Sequence, residues 1–188
     1  MTDNVAQEPA KVLPDMETLH ERHYGLTEAV ARVLAEAAAV CLDRHHMPPA
    51  AFLITHGEQA EGREVRWAPA NARARGAWAN SIDRTEAGAY AMAIAAVESM
   101  LGLMVVSRAP AKSGADYRIG SGWPVDEHGE LDLEPARRLE VSGMDRGSQA
   151  DLHARLSGKA KQIVKGGDGP GCAVVVAFEM KRIALREV

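Results

Sequence analysis

Apolar and polar positions recur along this chain in two rhythms, and the changes of rhythm mark its elements. From Leu26 to His46 the apolar residues Val30, Val33, Leu34, Ala37, Cys41 and Leu42 fall at helical spacing. A long helix is predicted there, stopped by Pro48-Pro49. AAFLIT (50–55) and EVRWAP (64–69) read as two strands joined through HGEQAEGR in a hairpin-like connection. NARARGAWANSI (71–82) fits neither rhythm. A second helix is predicted from Arg84 to about Leu101, with Asp83 as its N-cap and Glu86 three residues on, as in a capping box. Its apolar face is Ala87, Tyr90, Ala91, Ile94, Val97 and Leu101, and Glu98 falls on or beside that face.

Strand patterns follow. GLMVVSRA (102–109) is an apolar run suited to an interior strand. In ADYRIG (115–120), Ala115, Tyr117 and Ile119 share one face, and Asp116 and Arg118 the other. A polar loop (121–136) leads into RLEVS (138–142), where Leu139 and Val141 oppose Arg138, Glu140 and Ser142. A helix is predicted from about Ser148 to Val164, with Leu152, Leu156 and Ile163 on its packed side. KGGDGPG (165–171) reads as a turn. It lacks the Gly-Lys-Ser/Thr ending of a phosphate loop and follows a helix, the reverse of that motif's order. CAVVVAF (172–178) is apolar throughout, as a central strand would be, and the residues up to Val188 continue it or add an edge. No internal repeat interrupts this order.

Composition narrows the class. The chain has 188 residues, 46% of them hydrophobic and 26% charged, which suits one globular domain with a sizeable core. Residues 1–15, polar and holding Pro9 and Pro14, are expected to form a flexible leader, and 16–188 a single α/β domain. A formal charge of −4 argues against nucleic-acid binding by the whole surface, though not by a local patch. There is neither an apolar run of membrane-spanning length nor a signal-like start, so no membrane partner is expected. Cys41 and Cys172 lie in apolar runs and are expected to be buried, reduced thiols of a cytoplasmic protein.

From Asp83 onward the order is helix, strand, strand, strand, helix, strand. Glu98 stands on the first of these helices, Asp116 on the second strand and Glu140 on the third. In this order and in these three carboxylates, residues 83–188 resemble the restriction-endonuclease-like, or PD-(D/E)xK, nuclease superfamily, as a divergent member. The resemblance implies a mixed β-sheet flanked by helices, α+β or α/β in class, with an αβββαβ core and an N-terminal helix and hairpin added to it. It also implies Mg²⁺ or Mn²⁺ held by Glu98, Asp116 and Glu140, for hydrolysis of a phosphodiester. Such a cation polarises phosphate and lowers the pKa of an attacking water, and Mg²⁺ takes oxygen ligands. The motif lysine belongs two residues after Glu140, where this chain has Ser142. Lys159, on the packed side of the following helix, would supply a displaced cation, with Arg118 beside Asp116 as the other source. Ser142 and Lys159 would then orient the water.

The implied function is a metal-dependent phosphodiesterase or nuclease-like protein, a subunit of a bacterial defence or DNA-processing system. The alternative is a catalytically inactive nuclease-like fold that serves as a protein-binding or scaffold subunit. Arg146, Arg155, Lys159, Lys161 and Lys165 stand against Asp145 and Asp151 between residues 143 and 165, a local basic patch suited to phosphate contacts. The first long helix, with Ala31, Ala35, Ala37, Ala38 and Ala39, would suit close packing on a protein partner or a second copy. His20 and His23, with His45 and His46, lack a convincing zinc-ligand spacing. Trp67, Trp78 and Trp123 are too scattered to indicate a base-stacking platform.

Overall fold

Two residues, Gly57 and Glu58, turn strand β1 (Ala50–His56) back onto β2 (Gln59–Val65), with His56 opposite Gln59 in the antiparallel ladder. The hairpin is thus tighter than the eight-residue connection the sequence suggests, because β2 begins five residues early. Gly57 takes a φ of +60°, a conformation that costs glycine little. The computed structural model describes residues 11–123, 136–167 and 169–188.

Seven strands form one mixed sheet in the order β2-β1-β7-β6-β5-β4-β3. The remaining strands are β3 (Met104–Arg108), β4 (Tyr117–Gly120), β5 (Arg137–Met144), β6 (Gly171–Ala177) and β7 (Arg182–Glu187). β3, β4 and β5 run antiparallel in turn, whereas β5 pairs with β6 in parallel. The C-terminal strand β7 is not an edge: it lies between β6, antiparallel to it, and β1, parallel to it. That position joins the N-terminal hairpin to the rest of the sheet.

Helices cover both faces. The long helix predicted at the start is α2 (Glu28–Asp43), capped by Thr27, whose side chain accepts from Val30 N–H. α1 (Leu19–Arg22) precedes it, and the segment that fits neither rhythm holds α3 (Ala72–Ala77). α4 (Ser81–Leu101) is capped by Asn80, which accepts from the Ile82 and Asp83 N–H groups, and ends at Gly102 in the left-handed conformation. Asp83 is therefore three residues inside the helix, not its cap. From Gly88 to Val97 every residue of α4 is buried, because the sheet covers one side and α2 the other. Burying a residue such as Met92 or Ile94 contributes about 1.5–3 kcal/mol. A Cβ on Gly88 would stand 3.0 Å from Ala38 Cα, so the two helix backbones nearly touch. Ala31, Ala35, Ala37, Ala38 and Ala39 are all buried within this chain. The small-residue face of α2 is consumed internally, and the large apolar side chains that this helix exposes are Val30 and Val33.

α5 (Gln149–Lys165) lies on the opposite face of the sheet, over β5 and β6. Ser148 and Asp151 close a capping box at its start. Leu152 packs with Met144 and Val175, and Ile163 with Ala173. Part of the predicted leader is tied down. Lys11 and Leu13 exchange backbone hydrogen bonds with Glu64 of edge strand β2, and Leu13 and Met16 are buried. The earlier residues, and most of the polar loop (124–135), lie outside the described residues. Cys41 and Cys172 are free and buried, and burial pushes both thiols up to about 12. No helix among the described residues is long and apolar enough to cross a membrane.

Candidate active site

The alternation of RLEVS sorts its side chains between the two layers. Leu139 and Val141 join the core under α4, whereas Glu140 faces α5. There the Lys159 ammonium donates to Glu140 Oε1 at 2.5 Å, with the glutamate side chain only 4% exposed. The spacing explains the reach. Lys159 lies three residues after Leu156 and seven after Leu152, on the side of α5 that meets the sheet.

Asp116 closes the group from the residue before β4. Its Oδ2 accepts the Val141 N–H at 2.9 Å, and its Oδ1 accepts the Tyr90 hydroxyl at 2.7 Å. The bond to Val141 brings this carboxylate against β5, next to Glu140. Two acids thus adjoin beside one ammonium. Burial raises the Glu140 pKa, Asp116's neighbouring charge raises it further, and Lys159 opposes both without cancelling them.

Tyr90 connects this pair to α4. Its hydroxyl lies 3.1 Å from Glu86 Oε1 as well as 2.7 Å from Asp116. Burial raises the Tyr90 pKa and the adjacent carboxylates raise it further, so the phenol stays protonated as a donor. The Arg108 guanidinium lies 4.4 Å from the Tyr117 ring centre and 5.1 Å from that of Tyr90, at cation–π distance of both.

Tyr90, Asp116 and Lys159 line an open cleft of about 430 Å³ between the first turns of α4, strand β5 and α5, with Glu140 buried behind Lys159 and outside the lining. Thr85, Glu86, Asp116, Ser142, Arg155 and Lys159 line it, and Asp145 and Arg146 also border it. Arg155 Nη1 donates to Ser142 Oγ at 3.2 Å and to Gly143 O at 3.1 Å, which holds a second cation beside the acids. At the Asp145 end, His45 Nε2 lies 2.9 Å from Asp145 Oδ1. Burial acts to raise the Asp145 pKa, but the bonds from His45 and Arg44 outweigh it and lower the value.

The residues singled out in the sequence divide accordingly. Asp116, Glu140, Ser142 and Lys159 come together. Glu98 does not join them. It lies eight residues beyond Tyr90 on α4, about 12 Å further along the axis at 1.5 Å per residue. Its carboxylate accepts from Arg22 Nε at 2.8 Å and pairs with His23 Nε2 at 3.0 Å. His23 is fully buried, and its Nδ1 accepts the Val105 N–H at 2.9 Å, so the ring carries its proton on Nε2 and donates it to Glu98. Burial acts to raise the Glu98 pKa, but these two donors outweigh it and lower the value. This cluster ties the N-terminal segment to α4 and edge strand β3.

The helix acid at the cleft is Glu86, which the sequence reading placed in a cap. Its signal was the spacing to Tyr90, four residues on and therefore on the same helix face. Arg118 does not line the cleft, and Lys161 and Lys165 are exposed further along α5. The basic patch at the cleft thus reduces to Arg146, Arg155 and Lys159. Among the described residues, no three His, Cys, Asp or Glu side chains cluster closely enough to enclose a metal ion. No family model, curated protein or solved structure matches this chain.

Proposed function

We propose that the protein is a divergent metal-dependent phosphodiesterase of nuclease type, with Asp116, Glu140 and Lys159 as its catalytic group. The observation that carries this reading is the side-by-side pair of carboxylates, one on β5 and one at the residue leading into β4, with an ammonium on the buried one. The element order from α4 to β6, and the antiparallel β3-β4-β5 followed by parallel β6, support the resemblance to the PD-(D/E)xK superfamily. A place in a bacterial defence or DNA-processing system comes with that resemblance.

The donor set suits a hard divalent cation. Mg²⁺ takes one or two carboxylates and fills its remaining positions with water and phosphate oxygens, so two acids suffice where a three-acid cage is lacking. Burial is the main cause of the raised Glu140 pKa, and the neighbouring Asp116 charge adds to it; a cation between the two acids would offset that second contribution. Asp116 and Glu140 would hold Mg²⁺ or Mn²⁺, and the ion supplies polarisation of the phosphate and a more acidic water.

The chain's own groups do the rest. The Val141 N–H and Tyr90 hydroxyl fix the Asp116 carboxylate through one bond to each oxygen. Lys159 has two further N–H donors beyond its bond to Glu140, and these would serve a water or a phosphate oxygen. Arg155 and Arg146 offer cations to the flanking phosphates. In the reaction, water oxygen attacks phosphorus, the bond from phosphorus to the leaving oxygen breaks, and the water's proton leaves as that oxygen gains one.

Incubation of plasmid, single-stranded DNA and RNA with Mg²⁺ or Mn²⁺ tests the reading directly. Cleavage is expected, with a loss of at least about 10²-fold in Asp116→Asn and Glu140→Gln, as for removal of a principal electrostatic group. Either metal should also raise the melting temperature of the wild type and not that of Asp116→Asn. Absence of both cleavage and a metal-dependent shift would leave the inactive scaffold reading in its place.

A further inference from the structure

A second pocket opens on the other side of Tyr90. It encloses about 480 Å³ and shares only Glu86 and Tyr90 with the acidic cleft. Its walls are aromatic and aliphatic: Trp78, Tyr90 and Tyr117, with Leu26, Leu34 and Ala87. Three charged groups stand among them, Asp83, Glu86 and Arg108. Tyr90 therefore has two roles in space. Its hydroxyl end belongs to the acids, and its ring belongs to this pocket, in edge contact with Tyr117 at a centroid distance of 5.4 Å.

The lining narrows the ligand. Aromatic walls with aliphatic neighbours suit a flat ring system and not a hydrated sugar or phosphate. The carboxylates of Asp83 and Glu86 accept from exocyclic amines, and Arg108 donates to ring nitrogens and carbonyls. A nucleobase carries all of these features. A phosphodiester held at the acids places the base of a neighbouring nucleotide one tyrosine away.

We infer that this pocket receives an unpaired nucleobase next to the scissile phosphate, so that the substrate is single-stranded or locally unpaired nucleic acid. The inference rests on the cleft being the phosphodiester site. A base within a duplex is stacked and paired, and must be extruded at a cost before it can enter. A single strand offers its bases freely, and one stacked base contributes substantially to binding.

The test is binding without metal, which separates this inference from catalysis. Labelled oligonucleotides of about 12 nucleotides, within the range such grooves cover, are titrated in chelator as single strands, as duplexes and as single strands carrying abasic sites. Single strands are expected to bind at least about 10-fold tighter than duplex or abasic strands, given the contribution of one stacked base. Ala87→Met fills the pocket from a half-buried helix position with a good helix former, and Trp78→Ala removes a wall. Each should weaken single-strand binding about 5- to 100-fold while leaving duplex binding unchanged. Trp fluorescence of the wild type, quenched on adding nucleoside monophosphates and not ribose phosphate, reads the pocket without any substitution. Matched ribo- and deoxyribo-strands distinguish RNA from DNA as the source of the base.

Equal binding of single strand, duplex and abasic strand would overturn the inference, as would unchanged binding in a folded Ala87→Met. If cleavage occurs and this preference is absent, the base pocket falls and the catalytic reading stands. If the preference holds and neither metal supports cleavage, the catalytic reading falls and the pocket stands as a nucleic-acid binding site.

Discussion

Lys159 and Glu140 meet at 2.5 Å across the interface of α5 and β5, and the carboxylate of the pair is almost fully buried. The lysine keeps about a quarter of its side chain exposed, so it can turn to water, whereas Glu140 cannot. Removal of the lysine therefore leaves the cost with the acid. Lys159→Met is expected to lose about 1–3 kcal/mol at neutral pH, the penalty of an unpartnered buried polar group. Urea denaturation at neutral pH measures it, and the double variant Lys159→Met/Glu140→Gln should recover most of the loss.

The pH dependence of that site has a defined sign. Glu140 has a folded-state pKa above its unfolded value, so the folded form binds its proton more tightly. Its favourable contribution is complete below the unfolded pKa and is lost as pH rises through the raised folded value. Glu140→Gln should accordingly remove stability loss on that rising limb. Denaturation midpoints of the variant and the wild type, compared from acid to neutral pH, should diverge as pH rises, in favour of the variant.

Glu98 and Asp145 run the opposite way. Both have folded-state pKa values below their unfolded ones, so their stabilisation is present above the unfolded carboxylate range. It is lost as pH falls through the depressed values. Glu98→Gln is expected to be less stable than the wild type at neutral pH, by about 1.5–3 kcal/mol for a charge-assisted hydrogen bond, with the gap narrowing in acid. Phosphodiesterase activity at permissive temperature should not change, since Glu98 stands apart from Asp116.

Tyr90→Phe removes the hydroxyl that holds Asp116 and keeps the ring that walls the second pocket. Stability should drop by about 1.5–3 kcal/mol, the range for a hydrogen bond to a charged group. Cleavage should slow while single-strand affinity in chelator stays within about twofold, because stacking needs only the ring. Parallel rate and anisotropy measurements on this one variant separate the two ends of the side chain.

Gly143→Ala tests the fit of α4 onto β5. A Cβ at this position would lie 2.3 Å from the Thr85 carbonyl oxygen, inside any permissible contact. The backbones must part to admit it, at about 1–3 kcal/mol for an overpacked site. Ser142→Ala, one residue away and half-buried, loses only an oxygen that accepts from Arg155 and should fall within about 0.5–1.5 kcal/mol of wild type. Thermal and urea denaturation of the two variants side by side checks the contrast.

The sequence carries some of these relationships openly and conceals others. The strict alternation of RLEVS assigns Glu140 to one face and Val141 to the other, and heptad-like spacing from Leu152 assigns Lys159 to the inner side of α5. Both are local periodicities. Glu98 is different. Its position beside an apolar face is consistent with an active-site acid, and its actual partners, Arg22 and His23, lie more than 70 residues earlier in the chain. No local pattern encodes that meeting. Glu86 was obscured by a cap placed at Asp83 instead of Asn80. An error of three residues at a helix start turned an acid on the second turn into part of a capping box. The place of β7 inside the sheet was equally hidden, since its short alternation suits an edge or an interior lane.

The near-contact of Gly143 with Thr85, together with that of Gly88 with α2, has a mechanical consequence. The jaw formed by α4 is seated on the sheet with no clearance, so the mouth of the cleft cannot tighten by moving that side inward. The opposite jaw, α5, is seated as closely at its C-terminal end, where a Cβ on Gly114 would stand 2.6 Å from Gln162 O and one on Gly166 would run into the Ser113 carbonyl. Room for a long polymer therefore has to come from the side chains at the cleft mouth, Lys159, Arg155 and Arg146, and not from movement of either helix.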